Sequence, residues 1–499
     1  MIKKVLLSFL FFTIVTPTHA KCLILDSSGA QTKPKQDPLY KLLSHTKDCP
    51  KNYTDFTQLL KSAGTSHYAA MVANRGSQNP QQGSFSFFEM VVSNAQKPLI
   101  SVRPGDFFFG HFTTSANHQI HLDQRTTKDN LMMELIVWDP KKNYYNFYEL
   151  RGTGFGSQWF YRGDSLDALK DNEYLYRTPP NAVAKFGARM RCSACHNSGG
   201  PIMKEMEEPH NDWWRKNRAL PFGFNTPDEI VNNKVSQLID ADVFSNSVKI
   251  GIDKLEKSVD YQQHKQQLSL PEQLRPLFCE VEINLASDKK SSSDSTQIEI
   301  PSAFFISPFF AQDSFTISKA NYQGRLAQFQ LRFPETQLSD ADHAWLVPIK
   351  GHSDLLAIQT LLDNKTIEPK FAAAILATDM QNPLFSKQRC DLLQLLPAKN
   401  EFGWREKFLT NLKASSLPQA QNLYAQLINP LFTFDSYQQQ AKKYVFEVKT
   451  ALYNSAKQQF YFEKMLADRQ AVFASEISQN SKGQILEPGF RVIFPEPRK

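Results

Sequence analysis

The chain has 499 residues, 41% of them apolar, with 57 Lys and Arg against 50 Asp and Glu and only six cysteines. A chain of this length has room for about three domains and a substantial core, and its composition is globular, not disordered. The net charge of +7 is mild and is not gathered into Lys/Arg runs, which argues against nucleic-acid binding.

Residues 1–20 read as an export signal. Met1-Ile2-Lys3-Lys4 is a basic start, Val5 to Val15 is an apolar run too short to span a bilayer, and Thr18-His19-Ala20 ends it in small residues, with cleavage expected after Ala20. Lys21 and His19 make Cys22 a poor lipoprotein site. No later stretch is long and charge-free enough for a transmembrane helix, so a periplasmic or secreted chain is expected.

Residues 21–180 are expected to form a β-rich domain. Ser84 to Val92, Phe107 to Phe112, Met132 to Trp138 and Tyr144 to Leu150 are dominated by aromatic and β-branched residues. Asp139-Pro140-Lys141-Lys142-Asn143 joins the last two as a hairpin loop, so an antiparallel sandwich or barrel-like sheet is the expected architecture. His111, His118 and His121 read as ordinary polar residues, since on a strand positions 118 and 121 point to opposite faces.

The pattern changes after Thr178-Pro179-Pro180, and residues 181–286 are read as a helical segment with Val183 to His196 as one helix. Thr226-Pro227-Asp228-Glu229 combines an N-cap, proline at the first helical position and an acid at the third, which predicts a helix from Ile230 to Leu238. Residues 287–300, rich in Ser, Asp and Lys, read as a linker. In residues 301–499 a mixed stretch to Phe333 gives way to apolar residues at helical spacing, for example Leu355, Ile358, Leu361 and Leu362. The fold class expected is α+β, an N-terminal antiparallel β-rich region followed by a mainly α-helical C-terminal half.

Cys192-Ser193-Ala194-Cys195-His196 occurs once. On a helical turn its two thiols and imidazole, at i, i+3 and i+4, project from one face. C-x-x-C-H is the attachment signature of a c-type haem: two thioethers hold the macrocycle and the histidine supplies a nitrogen to iron. A thioredoxin-like redox pair and a structural zinc site are the other readings of C-x-x-C. The Arg189-Met190-Arg191 flank carries no apolar strand, and His210 stands alone as a further zinc ligand.

The residues that follow, Asn197-Ser198-Gly199-Gly200-Pro201-Ile202-Met203, resemble the loop after the haem motif of class I c-type cytochromes. The resemblance covers about fifteen residues and implies one covalent haem c with Cys192 and Cys195 as attachment sites and His196 as the iron ligand. It also suggests that the Pro201 carbonyl accepts His196 Nδ1–H, fixing the imidazole tautomer. The chain departs from that family in its length, its β-rich region and the lack of an evident distal-methionine loop. Its single motif also separates it from multihaem peroxidases.

The expected function is therefore that of an exported monohaem c-type cytochrome passing single electrons to a redox partner protein or a small-molecule donor or acceptor. A haem-dependent peroxidase or oxygenase with an open distal site, and a haem-based sensor, are the alternatives. Met190, Met203, Met206, His210 and Met380 are candidates for the sixth iron position, with Met203 favoured as a packing residue. Arg189, Arg191 and Lys204 could pair with propionates, and Trp213 and Trp214 could wall the pocket.

Outside the haem pair, Cys22, Cys49, Cys279 and Cys390 form an even set suited to an oxidising compartment. Of three possible pairings, Cys22 with Cys49 and Cys279 with Cys390 is the one favoured.

Overall fold

The computed structural model describes residues 22–26, 28–73, 85–116, 119–122, 131–170, 196–203, 237–286, 296–329, 331–332, 347–476 and 496–497. The signal segment, the helix expected over residues 183–196 apart from His196, Cys192, Cys195, the helix expected from Ile230 apart from its last two residues, Gln237 and Leu238, which are not helical, and most of the 287–300 linker lie outside these.

The N-terminal half is built on one sheet. Its strands are β1 (Ile24–Leu25), β2 (Thr65–Ala73), β3 (Phe85–Ser93), β4 (Phe107–Ala116), β5 (Gln119–Leu122), β6 (Leu131–Asp139), β7 (Tyr144–Gly152) and β8 (Ser157–Asp164). The order across the sheet is β1-β8-β7-β6-β4-β3-β2, with β5 paired to β4. Every pairing is antiparallel except β1 with β8. The four strands expected from aromatic and β-branched residues are all present, and Asn143 turns the β6–β7 hairpin at φ 57°.

The expected sandwich or barrel is not what forms: helices cover both faces of this one sheet. Helices α1 (Pro38–His45) and α2 (Tyr53–Ser62) pack on one face, where Leu39, Leu43 and Phe56 meet Phe107, Phe109, Val137 and Trp159. On the other, helix α3 (Ala241–Glu256) brings Phe244, Val248 and Ile252 against Phe108, Ile136, Tyr145 and Phe147. Phe107-Phe108-Phe109 shows the cause. Consecutive apolar residues on a strand point to opposite faces, so both faces need cover. The α1 start is fixed by Asp37, whose carboxylate accepts the Tyr40 N–H ahead of Pro38, and the α2 start by Asn52, which accepts the Asp55 N–H.

Helices α4 (Val259–Gln267) and α5 (Leu270–Phe278) lead to a short strand, β9 (Ile283–Ala286), that pairs antiparallel with residues 347–350. The expected linker ends early, because Gln297–Pro301 is a strand paired with Ser314–Ser318. From His352 to Glu476 the chain is helical apart from connections, as the apolar spacing predicts. Its core centres on Phe278, Phe371, Trp404 and Phe408. The guanidinium of Arg389, 1% exposed, donates to the carbonyls of Phe278, Thr378, Asn382, Pro383 and Leu384.

Both expected cysteine pairs are formed. Cys22 and Cys49 have Cα atoms 4.8 Å apart, Cys279 and Cys390 4.9 Å apart. Among the described residues no helix is long and apolar enough to cross a membrane.

Candidate haem site

Of the residues that the sequence singles out, His196 and Pro201 are described, and the loop from His196 to Met203 lies where the two halves of the molecule meet. The Gly199 N–H donates to the His196 carbonyl at 2.8 Å, closing a tight turn whose last residue has φ +77°. That left-handed conformation suits glycine. Space requires it too, since a β-carbon on Gly199 would lie 2.6 Å from the Ser165 carbonyl oxygen.

The turn brings the Gly200 carbonyl back to the imidazole, 2.7 Å from His196 Nδ1. A carbonyl only accepts, so Nδ1 carries the proton and, in the neutral ring, the lone pair lies on Nε2. The acceptor is one residue earlier than the Pro201 carbonyl that the resemblance suggests, because the turn at Gly199 already reverses the chain. Pro201 is buried and packs its ring beside Gly251, where an added β-carbon would stand 2.7 Å from Pro201 Cγ. Phe147 of β7 sits against the imidazole, ring centroids 5.3 Å apart.

Three parts of the fold hold this loop. From the sheet side, Ser165 Oγ accepts the Tyr145 N–H at 2.9 Å and donates to the Gly199 carbonyl at 2.7 Å. From α4, the Tyr261 hydroxyl donates to the Ser198 carbonyl at 2.5 Å. Burial pushes that phenol well above its ordinary pKa, so it remains a donor. From β9 and the residues before it, Asn197 Nδ2 donates to the Val281 carbonyl at 2.8 Å, and Asn284 Nδ2 to the Met203 carbonyl at 2.9 Å. Glu282 Oε1 accepts both the N–H and the hydroxyl of Ser198, at 2.9 and 2.8 Å.

Ser165, Tyr261, Glu282 and Asn284 carry no signal in the sequence that ties them to the motif, because each reaches the loop from a distant stretch of chain. Met203 is 2% exposed within the apolar core beneath the sheet, as expected of a packing residue. Met380 is partly buried against the helical core. Met190, Met206, His210, Arg189, Arg191, Lys204, Trp213 and Trp214 lie outside the described residues, as does His118.

His111 belongs to a different cluster. Its Nε2 lies 2.6 Å from Oε1 of the buried Glu89, which also accepts the Tyr53 hydroxyl at 3.0 Å and pairs with His67. Among the described residues, no group of three or more His, Cys, Asp or Glu side chains is arranged to hold a metal ion.

The described donor fits a haem iron. A histidine held by a backbone carbonyl at Nδ1 presents Nε2 as a basic nitrogen, and the Gly199-Gly200 backbone next to it brings no side chain. No family model, curated protein or solved structure matches this chain, so the site's own residues carry the functional reading.

Proposed function

We propose that the protein is an exported monohaem c-type cytochrome that transfers single electrons. The observation that carries this reading is a lone C-x-x-C-H whose histidine is fixed through Nδ1 by the Gly200 carbonyl. Cys192 and Cys195 would hold the porphyrin as thioethers, and His196 Nε2 would ligate its iron. Bound haem supplies one-electron exchange between ferric and ferrous states.

The chain's own residues keep the ligand in place. Gly200 holds the imidazole tautomer, Ser165 and Tyr261 hold the peptide groups of the loop, and Phe147 limits rotation of the ring. A ligand loop pinned on this many sides changes little when the metal's charge changes, which suits electron transfer. The mild positive charge, +5 once Lys3 and Lys4 leave with the signal, suits an acidic redox partner.

The test is expression with its signal in a host competent for cytochrome maturation, followed by mass spectrometry and a pyridine haemochrome assay. One covalent haem per chain and a six-coordinate ferrous spectrum are expected. A colourless protein at its haem-free mass overturns the haem assignment. A five-coordinate ferrous spectrum with rapid peroxide reaction overturns electron transfer in favour of a haem enzyme.

A further inference from the structure

We infer that Glu282, in the second half of the chain, is a positioning residue for the His196 loop. One arm of its test rests on the haem reading above, and the other does not.

The geometry is directional. Glu282 is 3% exposed, and its Oε1 receives two donors from a single residue, Ser198, while its Oε2 accepts the Ser353 hydroxyl. With the Tyr261 hydroxyl on the Ser198 carbonyl, both backbone polar groups of Ser198 are taken by side chains from outside the loop. Fixing those peptide planes fixes the turn between His196 and Gly199, and hence the Gly200 carbonyl against Nδ1. Glu282 thus acts on the imidazole through Ser198 and the two glycines.

Glu282 is itself anchored. The Asp354 carboxylate accepts the N–H groups of Val281 and Glu282 at 3.0 and 3.1 Å, and it is paired with Lys350 at 3.2 Å. The Gly351 N–H donates to the Glu282 carbonyl at 2.9 Å, and a β-carbon on Gly351 would fall 2.5 Å from that oxygen. A side chain so placed cannot follow the loop if the loop moves. The loop must conform to it.

Glu282→Gln keeps an acceptor oxygen for Ser198, whereas Glu282→Ala removes it. In the haem-loaded full chain, Gln is expected to leave the ferric paramagnetic-resonance g-values unchanged and Ala is expected to shift them. Wild-type g-values in the Ala variant overturn the inference. Should Glu282→Ala not fold, Ser198→Ala removes one of the two donors and is expected to move the g-values; unmoved g-values there count against the positioning role.

A separate arm needs no haem. In the full chain carrying Cys192→Ala and Cys195→Ala, hydrogen exchange of the amides from Asn197 to Gly200 is read with and without Glu282→Ala. Exchange about tenfold faster in the Ala variant supports the clamp, corresponding to the loss of about 1.4 kcal/mol of local protection. Equal exchange overturns it. If wild type binds no haem, the cytochrome reading falls while this arm still decides the positioning role.

Discussion

Gly199 is where a single side chain most directly meets the site. Its φ of +77° and the 2.6 Å approach that a β-carbon would make to the Ser165 carbonyl oxygen act together, one straining the backbone and the other forcing it to move. Gly199→Ala is therefore expected to cost about 2–4 kcal/mol in urea denaturation, the sum of a left-handed penalty and a steric one. A loss under half a kcal/mol would contradict this reading. The Cys192-x-x-Cys195-His196 pattern stands out in sequence because its three residue types fall at a fixed local spacing. The carbonyl that meets His196 does not, since the choice of Gly200 over Pro201 depends on where the turn closes. Asp37 shows a second effect invisible in sequence. Burial pushes its carboxyl above the ordinary value of 3.8, against hydrogen bonds from Tyr148, the Tyr40 N–H and Asn146 that pull it down, and the Asp139 charge adds to the rise. A raised acid binds its proton more tightly when folded. Its contribution is thus most favourable below the ordinary value and declines as pH rises through the folded one. The difference in unfolding free energy between wild type and Asp37→Asn is expected to fall as pH is raised from 3.8, and a flat difference would refute it.

At the scale of elements, the strands with the densest aromatic and β-branched content are the ones the sequence shows clearly. β2 and β8, Thr-Ser-His-Tyr-Ala-Ala-Met-Val-Ala and Ser-Gln-Trp-Phe-Tyr-Arg-Gly-Asp, have polar residues mixed in and less contrast with their flanks. Helices α1 and α2 are only 8 and 10 residues long, so periodicity is a weak signal, although Asp37-Pro38 and Asn52 are local start signals that mark both. The architecture was harder to read than the strands. A second sheet and a layer of helices both satisfy an apolar face, and only the tertiary arrangement decides between them. The sheet also buries polar chemistry: Glu89 on β3 links His67 on β2 and His111 on β4 beneath Tyr53 of α2, so one carboxylate ties three adjacent strands to a helix. Glu89→Ala would remove that shared acceptor from a cluster in which Glu89 and His111 are buried. It is expected to cost about 3–5 kcal/mol by chemical denaturation, because one buried acceptor serves three groups at once. A variant within 1 kcal/mol of wild type would mean that the cluster is solvated.

Over the whole molecule, the candidate site is legible only as a motif, while the setting that holds it comes from residues such as Glu282, 84 positions from its partner Ser198. The disulfides are legible, because four cysteines outside the motif allow only three pairings. They staple different halves. Cys22–Cys49 ties the first strand to the connection between α1 and α2, across 27 residues, whereas Cys279–Cys390 joins the end of α5 to the helical half across 111. If each acts mainly by restricting the unfolded chain, the longer loop is the more stabilising: about 3.5 kcal/mol for the first and about 5 kcal/mol for the second. The double variants Cys22→Ala/Cys49→Ala and Cys279→Ala/Cys390→Ala, compared by guanidinium denaturation, are expected to rank in that order. Chain entropy depends only weakly on loop length, so the predicted gap is small against the total, and its sign is the informative quantity. A larger loss from the shorter loop would mean that the N-terminal crosslink acts through the folded state, holding the two-residue strand β1 beside β8.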